Sequence, residues 1–285
     1  MTETGIVVAA HGRQYVVELA EGNRLPCFPR GKKSEIACGD EVEFQRTSAD
    51  QGVIERILPR RSLLYRSNEF RQKLIAANAD QIIIVVACEP AFSPELVTRA
   101  LIAAETQHIA SLIVLNKCDL QAQLPTARAQ LECFQQLGYR VLELSARQHA
   151  GDLRPSLAGH TSVLVGQSGM GKSTLINALV PGANAATREI SAALDSGKHT
   201  TTHACLYHLD SESHLIDSPG LQEFGLSHLD QNALEQAFIE FAPYLGQCRF
   251  RDCHHDREPD CALRQALAEG KIDASRFATY RRIAA

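Results

Sequence analysis

The chain has 285 residues, 45% apolar and 22% charged side chains, and a formal net charge of −4, the composition of an ordinary globular protein with room for about two domains and a small extra module. That balance excludes a polybasic tail, although not a local basic face. The N-terminal residues lack a basic stretch followed by an apolar core, so no signal peptide is expected, and the apolar run at 82–87 is far too short to span a bilayer.

Residues 1–62 contain short β-branched or alternating stretches, GIVVAAHG, QYVVELA, DEVEFQRT and GVIERILP, punctuated by Gly12, Gly22, Gly39, Gly52 and Pro59. Several short strands without helical period predict a small closed barrel, of oligonucleotide-binding (OB) type or SH3-like. Residues 63–78 are mixed basic and polar and are predicted as a linker. From Asp80 to about Leu229, apolar strands (QIIIVVA, SLIVLNK, RVLELSA, TSVLVGQ, SHLIDSP) alternate with helices (SPELVTRALIAAETQ, TARAQLECFQQLG, KSTLINAL). Ser93 is the expected N-cap of the first helix, with Pro94 at its first position and Glu95 in its first turn. This alternation predicts a mostly parallel sheet covered on both faces, and CLYHLDSESHLID adds one antiparallel edge strand. From Asp230 to Ala285 the pattern is helical, interrupted by a Cys/His-rich knot.

Asn116-Lys117-Cys118-Asp119 closes a predicted strand and spells NKxD, the arrangement that recognises guanine. Asp119 accepts from N1–H and the exocyclic amine, Asn116 bonds the N7/O6 edge, and Lys117 lies along the base plane; adenine offers Asp119 the wrong pattern. Such a motif normally follows a phosphate-binding loop. The nearest upstream imitation, Gly31 to Ser34, has Pro26 where the first glycine should stand.

The loop lies downstream. Gly166, Gly171, Lys172 and Ser173 fit G-x-x-x-x-G-K-S between a strand and a helix. Its intervening residues Gln167, Ser168, Gly169 and Met170, with Thr174 at the helix start, would wrap the phosphates with backbone N–H groups. Lys172 reaches the β- and γ-phosphates and Ser173 holds Mg²⁺. About 45 residues further on, Asp217-Ser218-Pro219-Gly220 ends another strand. There Asp217 can bind Mg²⁺ through water, and Gly220 can offer its N–H to the γ-phosphate. The polar segment 182–202 is expected to be a mobile switch. Within it Thr200, Thr201 and Thr202 can each close on Mg²⁺. Ser145-Ala146 ends a further strand and can present a backbone N–H to guanine O6. The five elements run NKCD, SA, phosphate loop, Thr segment, DSPG. The set is circularly permuted, which a domain tolerates when its ends lie close together.

Six of the nine cysteines, Cys27, Cys38, Cys88, Cys118, Cys133 and Cys205, are scattered and read as small hydrophobes in a reducing compartment. Cys248, Cys253, His255 and Cys261 form C-x4-C-x-H-x5-C, a closed four-ligand set suited to a structural Zn²⁺; His254 is the alternative imidazole.

A barrel, a permuted set of guanine-nucleotide motifs and this Cys/His cluster together resemble the small-ribosomal-subunit-dependent GTPase family RsgA, also called YjeQ. The resemblance covers nearly the whole chain. It implies an α/β fold: a circularly permuted P-loop GTPase domain (63–229), an N-terminal OB-type β-barrel (1–62) and a C-terminal helical zinc-binding domain (230–285). It also implies a cytoplasmic, monomeric GTPase without membrane contact. Its ligands would be GTP or GDP with Mg²⁺, and its partners the small ribosomal subunit and its rRNA. Hydrolysis would be weak alone and stimulated by that subunit late in its maturation. GKHTTT matches a family motif in which Thr201 is the switch threonine and His199 the candidate catalytic residue, beside Lys172. Leu221 stands where many GTPases place a water-orienting glutamine, and Gln222 is one residue late.

An alternative is an RNA-binding assembly factor that holds GTP with little turnover; a metal-delivery GTPase is disfavoured by the closed ligand set. RNA contacts are expected from Arg13, Arg24, Arg30, Lys32 and Lys33 on the barrel, and from Arg249, Arg251, Arg276, Arg281 and Arg282 at the C-terminus. Glu35, Asp40, Glu41 and Glu43 oppose any strong patch on the barrel.

Overall fold

A computed structural model describes residues 2–31, 35–68, 71–183, 185, 204–218, 226 and 228–284. The barrel is built from β1 (Thr2–His11), β2 (Gln14–Glu18), β3 (Arg24–Pro29), β4 (Glu41–Arg46) and β5 (Gly52–Ile57). The strands follow the order β1-β2-β3-β5-β4, and β4 pairs back onto β1, so the sheet closes. Only β3–β5 is parallel. This closed, OB-like connectivity decides between the two barrel types that period-two patterning left open. Alternation places Val7, Tyr15, Val17, Leu25, Cys27, Val42, Phe44 and Ile54 inside. Gly5 permits the close crossing of β1 over β2, since a Cβ there would lie 2.5 Å from Val17 Cγ1 and 2.7 Å from Glu18 O.

Strand β3 is not among the stretches expected to form strands, and it carries Pro26 and Pro29, which disfavour a strand. Pro26 sits opposite Val16 of β2, and the pairing to β5 begins only at Cys27, so the proline lies where one side of the strand is unpaired. Asp40 is not a surface charge opposing an RNA patch. It is fully buried and accepts two bonds from the Arg60 guanidinium, both 2.7 Å, and one from Ala37 N–H at 2.7 Å. Arg24 and Arg30 on the barrel already pair with Glu18 and Glu55.

The expected linker is instead an antiparallel hairpin of β6 (Leu63–Asn68) and β7 (Arg71–Ala77). Leu64 and Ile75 are buried in the same core as the central sheet, which is why this segment cannot act as a tether.

That sheet comprises β8 (Gln81–Ala87), β9 (Ala110–Asn116), β10 (Val141–Glu143), β11 (Thr161–Val165), β12 (Cys205–His208) and β13 (His214–Asp217). Helices α1 (Pro94–Thr106), α2 (Leu124–Gln136) and α3 (Arg154–Leu157) connect the strands up to β11, and α4 (Lys172–Leu179) follows the phosphate loop. The order is β10-β9-β8-β11-β13-β12, parallel except for β12; β12 is antiparallel as the sequence predicts, but its far side pairs with β1 of the barrel, so it is not a free edge. All seven residues of β8 are buried, the mark of a strand covered on both faces. The chain runs outward from β8 to β10 and then returns to β11 beside β8. The crevice at the ends of β8 and β11 is therefore a topological switch point, where α/β sheets bind ligands.

The C-terminal module holds α5 (Gln231–Ala237), α6 (Ala262–Ala268) and α7 (Ala274–Ala284). Its core is continuous with that of the sheet: Phe238 stacks on Phe241 with centroids 4.8 Å apart, and Tyr280 packs edge-on at 5.1 Å from Phe241. Arg276 cannot contact RNA, contrary to expectation. It is 1% exposed and forms a bidentate pair with Glu240. Its Nη1 reaches Thr98 Oγ1 on α1 at 3.4 Å, and its guanidinium lies over the rings of Phe134 and Phe238. Arg276→Ala strands the Glu240 charge and is expected to cost about 3–5 kcal/mol in denaturant unfolding. Replacing both partners with methionine should recover most of that loss. A single-variant cost below about 1 kcal/mol would show that the pair does not join the module to α1.

Candidate nucleotide and metal sites

Every motif of the permuted set that is described stands at the C-terminal end of a parallel strand on one edge of the sheet. The phosphate loop follows β11, NKCD closes β9, Ser145-Ala146 follows β10, and Asp217 closes β13. Their neighbourhood is set by register: Ala87 pairs with Asn116, Val165 with Ile84, and Leu164 with Asp217.

The phosphate loop needs its glycines. At Gly166, φ is +147° and a Cβ would lie 2.2 Å from Val85 O; at Gly171, φ is +94° and a Cβ would lie 2.3 Å from Asn116 Nδ2. Met170 is buried, Ser168 is exposed, and Gly169, Ser173 and Thr174 are half-buried. Gln167 Oε1 accepts the Ser93 N–H at 2.9 Å, tying the loop to the start of α1. Ser93 makes no side-chain cap to its own helix. Lys172 turns back over the loop, its Nζ donating to Gly166 O at 2.6 Å and Gln167 O at 3.0 Å. Burial pushes Lys172 below the usual amine range, partly offset by Asp217. Burial likewise pushes Asp217 up to about 6, with Lys172 opposing the shift. Ser218 Oγ donates to Leu164 O at 2.8 Å and fixes the chain just after β13.

The residues expected to recognise guanine form a bracket between loops. Asn116, 1% exposed, donates from Nδ2 to Met170 O at 2.9 Å. Its Oδ1 accepts from Ala146 N and Lys117 N, both at 2.8 Å. Of the Ser145-Ala146 pair expected to offer a backbone N–H to guanine O6, the Ala146 N–H is bonded to Asn116, so a base using it must share or displace that bond. Lys117 occupies the left-handed region (φ 62°), and its Nζ donates to Glu89 O and Gly169 O, each at 2.7 Å. Asp119 is exposed at the strand end, and Ser145 is buried. His199, Thr200, Thr201 and Thr202, together with Pro219, Gly220, Leu221 and Gln222, lie outside the described residues.

The second site matches the sequence pattern. The ligand atoms of Cys248, Cys253, His255 and Cys261 all lie within 4.8 Å of one another and could hold one metal ion. His255 Nδ1 faces Cys261 Sγ at 3.3 Å and Cys248 Sγ at 3.5 Å. Three thiols and one imidazole in this compact, mostly buried arrangement fit a tetrahedral ion with no open position. His254 is excluded as a ligand by its position: its Nδ1 bonds Gln231 Oε1 at 2.7 Å. Burial pushes the Cys253 thiol up to about 12, so taking up an ion there must expel protons.

Sequence reasoning missed two residues that build this site. Glu235 on α5 receives His255 Nε2 at 3.2 Å, Tyr280 OH at 3.0 Å and Gln231 Nε2 at 2.6 Å, which fixes the imidazole with Nδ1 towards the thiols. Glu258 accepts the backbone N–H groups of His254, Asp256 and Arg257 and so pins the ligand loop. No local pattern marks either glutamate, because each acts across a fold contact or on backbone.

The RsgA GTPase family model matches residues 57–227. The small ribosomal subunit biogenesis GTPase RsgA of Burkholderia pseudomallei (strain K96243) is 59% identical over 281 residues, covering 97% of this chain and 90% of that protein. Among solved structures, YjeQ from Thermotoga maritima superposes with a TM-score of 0.73 at 32% identity, covering 99% of this chain and 97% of that one. YloQ, described as a circularly permuted GTPase, gives 0.69 at 27% identity, covering 100% and 94%.

Proposed function

The chain belongs to the RsgA GTPase family, and from that premise we propose that it binds GTP, docks on the small ribosomal subunit and hydrolyses GTP there late in subunit maturation. The observation that carries this reading is the convergence of the phosphate loop, NKCD and Asp217 on one sheet edge despite their permuted order. We read the chain as barrel 1–62, GTPase domain 63–229 and zinc-binding domain 230–285, acting as a cytoplasmic monomer. No helix among the described residues is long and apolar enough to cross a membrane.

In the reaction, Lys172 leaves the loop carbonyls to meet the β- and γ-phosphates, and the loop N–H groups cradle the chain of phosphates. Mg²⁺, when bound with nucleotide, would be held by Ser173 and Asp217 and would neutralise phosphate charge. Asp119 selects guanine, while Asn116 and Lys117 hold the base loop against the phosphate loop. Gly220 and Thr201 would close on the γ-phosphate. With Leu221 in the glutamine position, the attacking water needs another partner, and His199 takes that role on the bound subunit. A zinc ion held by Cys248, Cys253, His255 and Cys261 would be structural. Because DSPG leads through residues 221–229 into the C-terminal module, loss of the γ-phosphate would be passed to the zinc-binding domain and favour release.

The test is GTP and ATP hydrolysis with mature, immature and no small subunits. Subunits should stimulate GTP turnover at least about tenfold, with ATP inert, and His199→Ala should lose most of the stimulation. Full stimulation in His199→Ala would remove that residue from the mechanism. Slow, unstimulated turnover with tight GTP binding would favour the second reading, an assembly factor using GTP as a bound switch, which Leu221 supports.

A further inference from the structure

Barrel and sheet share a core through Val8 and Cys38, and Cys38 O and Gly39 O accept from Ala77 N–H and Asn78 Nδ2, both at 2.9 Å. Among the described residues, β1 meets β12 at one register pair, Ala9 opposite Cys205, with Ala10 N–H donating to Ala204 O at 3.2 Å. Beside it runs a chain of ionisable side chains. Glu18 Oε1 on β2 lies 2.5 Å from His208 Nε2, and His208 Nδ1 lies 2.9 Å from His214 Nδ1, with the rings edge-on at 4.8 Å. The other Glu18 oxygen accepts Arg24 Nε at 2.8 Å.

The proton count in this chain is restricted. Glu18 is an acceptor, so His208 Nε2 carries a hydrogen. The two Nδ1 atoms must share one hydrogen, because two would repel and none would oppose lone pairs. His208 is therefore either neutral, receiving from His214 Nδ1–H, or an imidazolium paired with Glu18 and donating to His214. Two imidazoliums break the contact. Asp210 in the β12–β13 turn and Asp80 at the foot of β8, which also bonds His160, are the remaining charges facing His214. Burial pushes His214 below 6.5, and the His208 charge adds to the shift.

The hairpin that carries both histidines has a particular place. β12 follows the Thr segment, and β13 ends at Asp217. We propose that Glu18, His208 and His214 form a latch that couples the barrel to this hairpin, so that what the barrel binds biases the nucleotide site. This rests on the ribosome-dependent GTPase reading above. The three are positioning residues, distant from the reacting atoms along the hairpin. Because burial disfavours the charged form of His214, the latch is intact above about pH 6.5 and is lost as acid charges both imidazoles.

The test uses the full chain as wild type, Glu18→Ala, Glu18→Gln and His208→Ala. Hydrogen exchange at the Ala10 amide, corrected for intrinsic rates, is followed between about pH 5.5 and 7.5, and GTP hydrolysis is measured with and without small subunits. Ala10 protection in the wild type should fall on acidification, and in Glu18→Ala and His208→Ala it should be low at every pH. Unstimulated hydrolysis should stay within about twofold of wild type, while subunit stimulation drops about fivefold or more. Glu18→Gln, which keeps an acceptor without the charge, should fall between wild type and Glu18→Ala; it also stands in if the alanine variant fails to fold. Ala10 protection or subunit stimulation unchanged across the variants overturns the latch. A wild type that subunits do not stimulate would instead sink the functional reading, and the exchange data would still judge the latch.

Discussion

Asp119→Asn is expected to weaken GTP binding by about 10²–10⁴-fold, since it removes two charge-assisted bonds worth about 1.5–3 kcal/mol each. The same change should improve xanthosine triphosphate. Its C2 carbonyl replaces the exocyclic amine and accepts from the new amide, while N1–H still donates to the amide oxygen. Asp119 suits this experiment because it stands exposed at the end of β9, apart from the bracket that Asn116 makes with Met170 and Ala146. Asn116→Ala should be the more disruptive change, loosening the phosphate loop together with the base site. Titration with fluorescent nucleotide analogues reads both effects. GTP affinity within about threefold of wild type in Asp119→Asn would remove guanine recognition from NKCD.

Loss of the metal is expected to have the largest effect on stability. Structural zinc sites contribute about 10–16 kcal/mol of binding free energy to folding at neutral pH. Here the ligands Cys253 and Cys261 share a core with Phe238, Phe241 and Tyr280, and through Arg276 and Thr98 the module is joined to α1. Metal analysis should give one zinc per chain. Strong chelation or Cys253→Ser should unfold the C-terminal module and lower the melting temperature of the GTPase domain as well. Glu235→Gln leaves all four ligands in place but weakens the orientation of His255, so zinc affinity should fall about 10–100-fold without unfolding. Zinc release should rise steeply on acidification, because protons compete for the thiolates. A melting profile indifferent to chelation, or unchanged affinity in Glu235→Gln, would contradict this account of the site.

Both effects concern residues that are legible in the amino-acid sequence, because the chemistry they carry is local. A phosphate loop is one turn between a strand and a helix, NKCD is one strand end, and the four metal ligands fall within fourteen residues. Backbone geometry over so short a span follows from residue identity: glycine where φ is positive, a thiol or imidazole where an ion needs a soft donor. The alternation of strands and helices likewise determined the parallel sheet, and the permuted motif order identified the family.

What the tertiary structure decided depends on pairings between residues far apart in the chain, which local pattern does not encode. Strand β3 forms in spite of two prolines because its pairing to β5 starts beyond Pro26 and Pro29 is its last residue. The segment at 63–78 becomes a hairpin because Leu64 and Ile75 find the core of the sheet. Arg276, indistinguishable in sequence from Arg281 or Arg282, is drawn inside by Glu240 and two aromatic faces. Asn116 brackets two loops that are 30 and 54 residues away. Glu18 and His208, 190 residues apart, meet only because the barrel closes against the edge strand of the sheet. Residue type determined the chemistry available at each site, and long-range packing decided which side chains are buried, paired or left to act.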